Sequence, residues 1–192
     1  MKKVLLLLAN GFEEYEASVF TDVMGWSRIF GTPIEVVTAG MHPQLKCTWN
    51  FIVIPEKQLS EINVDEYDAL AIPGGFKKAG FYKDAYSDDF LRTIREFNSN
   101  NKIIASICVG ALPLGKSGIL KDRKATTYQL LNGKRSEELT KLGAKVIHKN
   151  IVIDKNIITS ANPAAAVDVA FKLLELLTDK KNCNKVRNLM GF

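Results

Sequence analysis

The sequence predicts an α/β fold in which a doubly wound, mostly parallel sheet carries helices on both faces. Three observations predict it. Short apolar runs of strand length alternate with longer amphipathic stretches along the chain. Several of the runs are apolar at every position, as strands covered on both faces must be. Three of them end in glycine-containing turns, where a strand hands the chain to a helix.

Residues 4–8 are uniformly apolar and read as a buried first strand. Behind Met1, Lys2 and Lys3 the run imitates a secretion signal. It is too short for one, and it meets Glu13 and Glu14 almost at once. Residues 13–30 predict a helix with Ala17, Phe20, Met24 and Ile29 near one face. Residues 34–38 read as a second strand, and residues 47–54 as part of a hairpin or an edge strand ending at Pro55. Residues 69–72 are a buried strand that stops at Pro73-Gly74-Gly75. A helix over 88–97, a strand over 102–107 and a helix over about 110–116 follow. Thr126 lies near a further short strand, and 136–142 is helical. Residues 151–154 and 157–159 form a hairpin around Lys155-Asn156. Residues 164–177 close the fold as a helix, with Val167, Ala170, Phe171 and Leu174 facing inward.

A chain of 192 residues, 46% of them hydrophobic, suits one domain over 1–192 with a sizeable core. Residues 179–192 are a polar tail with an apolar end, suited to docking on the domain or on a partner subunit. The net charge of +5 invites an acidic partner. The lysines, however, fall in short scattered clusters (Lys77-Lys78, Lys121 to Lys124, Lys180-Lys181), whereas a nucleic-acid footprint concentrates charge on one face. No nucleic-acid partner is expected, and no run reaches transmembrane length. Cys47, Cys108 and Cys183 show no CxxC spacing, which leaves zinc and dithiol redox motifs without support. An odd, low count suits the reducing cytoplasm.

In open parallel sheets, sites form beyond the carboxyl ends of the strands. The sharpest candidate there is Cys108, placed where the strand over 102–107 meets a helix through Val109 and Gly110. Small residues around a nucleophile permit a tight strand-to-helix turn, and a helix N-terminus favours thiolate. The competing reading is a structural cysteine packed as a small hydrophobe. The turn position favours function. Gly74 and Gly75 let backbone approach a ligand and present N–H groups to a developing oxyanion. Glu13 and Glu14 read mainly as acids complementing a helix dipole. Glu16, turned inward beside a thiol, would have a raised pKa and could move a proton. His42 and His148 read as surface residues, so no Cys-His pair is evident.

Taken in order, Gly11-Phe12-Glu13-Glu14-Tyr15-Glu16, Pro73-Gly74-Gly75 and Ala105-Ser106-Ile107-Cys108-Val109-Gly110 resemble the ThiJ/PfpI family of the class I glutamine amidotransferase-like superfamily. More narrowly they resemble its parkinsonism-associated deglycase branch, over essentially the whole chain to about Leu177. The resemblance implies a flavodoxin-like sandwich, a homodimer, and no metal or organic cofactor. It implies that Cys108 is the nucleophile or oxidation sensor, that Glu16 is its protonated partner, and that the Gly75 and Val109 N–H groups form an oxyanion or sulfinate pocket. Departures are plain. The branch's Thr-Thr-His-Pro reads Thr126-Thr127-Tyr128-Gln129 here, and a phenol is a poor base at neutral pH. Val109 follows Cys108 where the peptidase-like branch has histidine, and His148-Lys149-Asn150 lacks the amidotransferase His-x-Glu. Trp26 and Trp49 stand where the branch has two anion-binding arginines, which implies a more apolar pocket, less suited to phosphate or carboxylate. Both tryptophans also fit a core or interface role.

Three function classes stand open, the first two of them implied by the resemblance. One is a glutathione-independent glyoxalase or deglycase acting on small reactive carbonyls through Cys108 and Glu16. Another is a non-catalytic stress sensor or chaperone-like protein whose Cys108 oxidises to sulfinate. A third is a partner-binding dimer that uses the aromatic residues. Cys47 and Cys183 carry no evident role.

Overall fold

A computed structural model describes residues 1–192. The apolar run near the start becomes β1 (Lys2–Leu8), buried from Val4 onward because strands flank it on both sides. α1 (Glu14–Phe30) returns across the sheet and buries Val19, Phe20, Val23 and Met24. Each such side chain contributes about 1.5–3 kcal/mol on leaving water. β2 (Ile34–Gly40) then pairs with β1 in parallel. The region expected as a hairpin or edge strand is a small antiparallel pair, β3 (Leu45–Lys46) and β4 (Ile52–Val53), outside the main sheet. The two-residue β5 (Lys57–Gln58) takes the sheet edge next to β2.

β6 (Ala69–Ile72) is wholly buried. α2 (Phe81–Ala85) and α3 (Asp88–Ser99) follow it, the latter capped by the Ser87 hydroxyl. β7 (Ile103–Ser106) leads into a 3-10 turn over Cys108–Gly110 and then α4 (Ala111–Lys116). β8 (Lys124–Ala125) pairs in parallel with β9 (Lys145–Val146) across α5 (Lys134–Lys141). β10 (Ile151–Asp154) and β11 (Ile157–Ser160) make the expected hairpin. α6 (Ala166–Leu177) and α7 (Lys180–Leu189) end the chain. The expected tail is therefore a capped helix lying on α6 and α1.

The main sheet runs β10-β11-β7-β6-β1-β2-β5, parallel except for β10 at one edge. α1, α6 and α7 pack together, and α3, α4 and α5 form a second group. The winding reverses between β1 and β6, which opens a crevice beyond their carboxyl ends. No helix is long and apolar enough to cross a membrane.

Candidate active site

Three loops meet at that crevice. The loops after β1 and β6 are stitched together by an isolated bridge between Phe12 and Gly75. Glu13 N–H donates to the Gly74 carbonyl at 2.8 Å, and Phe76 N–H to the Gly11 carbonyl at 3.3 Å. The stitch needs glycine: a Cβ on Gly75 would stand 2.4 Å from the Gly11 oxygen and 2.5 Å from the Phe81 ring. A Cβ on Gly74 would stand 2.9 Å from Glu16 Oε2 and 3.1 Å from Val109 N. Glu16, Gly74 and Val109 thus converge from three different segments: the start of α1, the loop after β6 and the turn after β7.

Cys108 sits where β7 turns into the 3-10 segment, in the left-handed region at φ 54°. L-residues with side chains avoid that conformation, and a strained turn of this kind is a recurrent feature of functional positions. Thr127 fixes the turn by donating its hydroxyl to the Cys108 carbonyl at 2.9 Å. The side chain is 8% exposed, at the wall of a cavity of about 510 Å³.

Glu16, on the first turn of α1, is fully buried. Its Oε2 accepts the Gly74 N–H at 2.6 Å, while Oε1 is buried without a partner. Burial, and then the negative charge of Glu13, raise its pKa from 4.5 to about 8. A carboxyl in this setting holds its proton at neutral pH. Burial also pushes Glu13 up, while the neighbouring Glu16 and Trp49 side chains pull it back. Glu13 and Glu16 are thus electrostatically linked acids, and the fully buried Glu16 is the one pushed furthest toward keeping its proton. Such linkage is the expected outcome when two acids occupy one site.

The Cys108 thiol is pushed up, first by burial and then by the negative charge of Glu16, against the pull of the Val109 N–H. The expectation that a helix N-terminus would favour thiolate is corrected here. α4 is six residues long and begins only after the 3-10 turn, so its dipole is small and desolvation dominates.

The remaining expected site residues divide. Val109, Gly75 and Tyr128 line the cavity with Cys108. Gly75 N–H has no protein acceptor, whereas Gly74 N–H is committed to Glu16, so it is not free for an oxyanion. Trp26 is not on the cavity wall; it packs half-buried against Phe30, with ring centroids 5.1 Å apart. Trp49 is exposed and also off the wall. Its backbone N–H is held by the Glu14 carboxylate at 3.0 and 3.2 Å. Its ring lies 5.3 Å from that of Phe76, which does line the cavity. Sequence reasoning missed Glu13, Lys77 and Arg135, all on the wall. Glu13 lies inside the Gly11–Glu16 motif, but an acid at the start of a helix fits the helix dipole equally well. Nothing in the sequence marks Arg135.

The family model described as "DJ-1/PfpI family" matches residues 2–176. The chain is 30% identical over 194 residues to the Drosophila melanogaster protein DJ-1alpha, covering 98% of this chain and 83% of that one. It is 27% identical to the glutathione-independent glyoxalase DJR-1.2 of Caenorhabditis elegans, covering 95% of this chain and 92% of that one. The crystal structure of Drosophila melanogaster DJ-1beta superposes with a TM-score of 0.87 at 27% identity, covering 98% of this chain and 97% of that chain.

Proposed function

The chain belongs to the DJ-1/PfpI family, and on that premise we propose that it converts small 2-oxoaldehydes and water to 2-hydroxy acids, without glutathione, through Cys108 and Glu16. The observation that carries the reading is a buried sulfur at a strained turn, facing a cavity and electrostatically coupled to a carboxyl that keeps its proton at neutral pH.

Sγ attacks the aldehyde carbon while protonated Glu16 donates to the aldehyde oxygen. The thiol proton passes to the vacated carboxylate, leaving a hemithioacetal. The N–H groups of Gly75 and Val109 steady charge on the oxygen. Glu13, the less buried of the two acids and the one on the cavity wall, is the base for the proton on C1. Return of that proton to C2 oxidises C1 and reduces C2 within one molecule, giving a thioester. Water cleaves the C–S bond, releasing the 2-hydroxy acid and the thiol. No outside oxidant or reductant is consumed. DJR-1.2, named a glutathione-independent glyoxalase, supports the reading.

Measuring lactate formed from methylglyoxal without glutathione, by wild type and by Cys108→Ser, tests it. Turnover abolished by the substitution is expected. Wild-type turnover no faster than background overturns the reading. A second reading is favoured by Tyr128 standing in place of the branch's histidine: a sensor whose thiol is oxidised by two peroxide molecules to sulfinate, with release of two waters. Mass spectrometry of peroxide-treated protein follows that product.

We further propose a homodimer. Phe51 and Tyr15 are exposed and line an apolar groove of about 460 Å³ between α1 and the β3–β4 hairpin. The neighbouring Ile52 and Ile54 are also exposed. A contiguous apolar face of this kind marks an interface. The three unpaired cysteines fit a reducing, cytoplasmic location.

A further inference from the structure

The two tryptophans at the branch's arginine positions led to an expectation of an apolar pocket. The cavity beside Cys108 nevertheless carries two cations, Lys77 and Arg135, and Arg135 comes from α5, a different element. Leu131, Asn132 and Gly133 all take left-handed backbone angles immediately before that helix (φ 55°, 64° and 68°). The turn they form brings the first turn of α5 to the cavity.

Arg135 is held in place before any ligand arrives. Its Nη1 donates to Glu138 Oε2 at 2.7 Å, and its guanidinium carbon lies 5.2 Å from the centre of the Tyr82 ring. Glu138 Oε1 in turn accepts the Tyr86 hydroxyl at 2.9 Å, and the rings of Tyr82 and Tyr86 stand 5.0 Å apart. Glu138 offsets part of the arginine's charge, but its two oxygens are occupied by Nη1 and by Tyr86. The other guanidinium N–H groups have no protein acceptor. A planar fork fixed by stacking and one ion pair loses little rotamer freedom on binding, and its geometry matches carboxylate and phosphate oxygens. Lys77 adds a second positive charge to the same wall. Glu13, the one acid there, belongs to the Cys108 end, where it pairs with Glu16.

We propose that Arg135, assisted by Lys77, is a specificity-determining residue that reads an anionic group on the substrate. The cavity then takes 2-oxoaldehydes whose chain ends in a carboxylate or a phosphate monoester, in preference to methylglyoxal. The assignment rests on the carbonyl reading given above. The anion sits at the Arg135 end while the aldehyde carbon meets Sγ, and a volume of about 510 Å³ accommodates both.

Alkylation of Cys108 tests the anion site without requiring turnover. The rates with iodoacetate and with iodoacetamide are measured on the full chain at one pH, with the Cys108 peptide followed by mass spectrometry. Their ratio cancels the thiolate fraction and the general accessibility of the sulfur, both of which a merely structural role would change. The ratio is expected to exceed that of glutathione and to fall about tenfold in Arg135→Gln, the loss of one charge-assisted contact. Arg135→Lys is expected to retain part of it. An equal ratio in wild type and Arg135→Gln overturns the assignment, as does a ratio that falls only in Lys77→Gln. In turnover, Arg135→Gln is expected to raise KM for 4,5-dioxopentanoate or 3-phosphooxy-2-oxopropanal more than for methylglyoxal. Whichever of the two shows the larger change identifies carboxylate or phosphate as the group read. A raised alkylation ratio with no turnover of any oxoaldehyde overturns the carbonyl reading alone. Turnover with a flat ratio overturns this assignment alone.

Discussion

Replacing Glu16 by glutamine should make the native state more stable at neutral and alkaline pH, and by an amount that depends on pH in a calculable way. Glu16 is fully buried, and its pKa rises from 4.5 to about 8. Below 4.5 both the native and the unfolded chain hold the proton, and the shift has no effect. Between 4.5 and about 8 only the native state holds it, so stability falls as pH rises. Above 8 the loss is complete. Each pH unit in that window is worth about 1.4 kcal/mol, so wild type loses on the order of 3 kcal/mol by pH 7 and on the order of 5 by pH 9. Glutamine imitates the protonated carboxyl: its oxygen still accepts the Gly74 N–H, and it cannot ionise. Urea denaturation of both proteins at pH 5, 7 and 9 reads the effect as a difference in midpoint at constant slope. The two curves should nearly coincide at pH 5 and separate progressively above it. Burial, which the substitution leaves in place, pushes the Cys108 thiol up. A difference that stays the same from pH 5 to 9 would refute the claim that Glu16 is protonated in the native state.

Three further perturbations probe the surroundings. Iodoacetamide labelling of Cys108 against pH should show a lower midpoint in Glu16→Gln than in wild type, because the thiolate of wild type forms beside a carboxylate once Glu16 has ionised near pH 8; an unchanged midpoint would show that the two groups do not interact. Gly75→Ala places a Cβ 2.4 Å from the Gly11 oxygen and should cost about 1–3 kcal/mol in a thermal melt, as overpacking does; an unaltered melt would mean that the loops after β1 and β6 part easily. Asn182→Ala on α7 removes the acceptor for the Thr32 N–H at 2.8 Å and the donor to Ser27 Oγ at 3.1 Å, at a cost of about 1–3 kcal/mol in urea, and a negligible change would show that α7 is not held by this residue.

The strands that position the site are legible because they are almost wholly buried. Residues 4–8 and 69–72 lie inside the sheet with neighbours on both sides and are apolar at every position, and 103–106 departs only at Ser106, so the pattern cannot be mistaken for a half-exposed strand. β5 is not legible because two residues carry no periodicity, and α2 because five residues barely exceed one turn; the hairpin expected over 47–54 is present, with its first strand β3 lying just before that range. The tail is legible as polar with an apolar end suited to docking, but not as a helix, because α7 buries only Asn182, Cys183 and Val186.

The site was legible wherever a residue's role follows from its local turn. Cys108 is announced by the small residues that a left-handed strand-to-helix junction requires, and Gly75 by the close approach of two loops. Glu13 was not, because its character depends on what lies across the crevice. As a helix-capping position it makes no side-chain cap hydrogen bond, so the dipole role assigned to it leaves the carboxylate's position unexplained. The structure supplies the reason: Glu13 faces Glu16 and lines the cavity with Cys108. Under the proposed carbonyl chemistry a site without the branch's histidine still needs a base at neutral pH, and two neighbouring acids of unequal burial provide both an acid and a base. On this argument Glu13→Gln should slow carbonyl turnover and also lower the pKa of Glu16, since the negative charge that helps to raise it is gone. The stability difference between Glu13→Gln and Glu13→Gln/Glu16→Gln should then change over a narrower span of pH than that between wild type and Glu16→Gln. Equal spans would separate the two carboxyls and return the role of base to Tyr128 or to water.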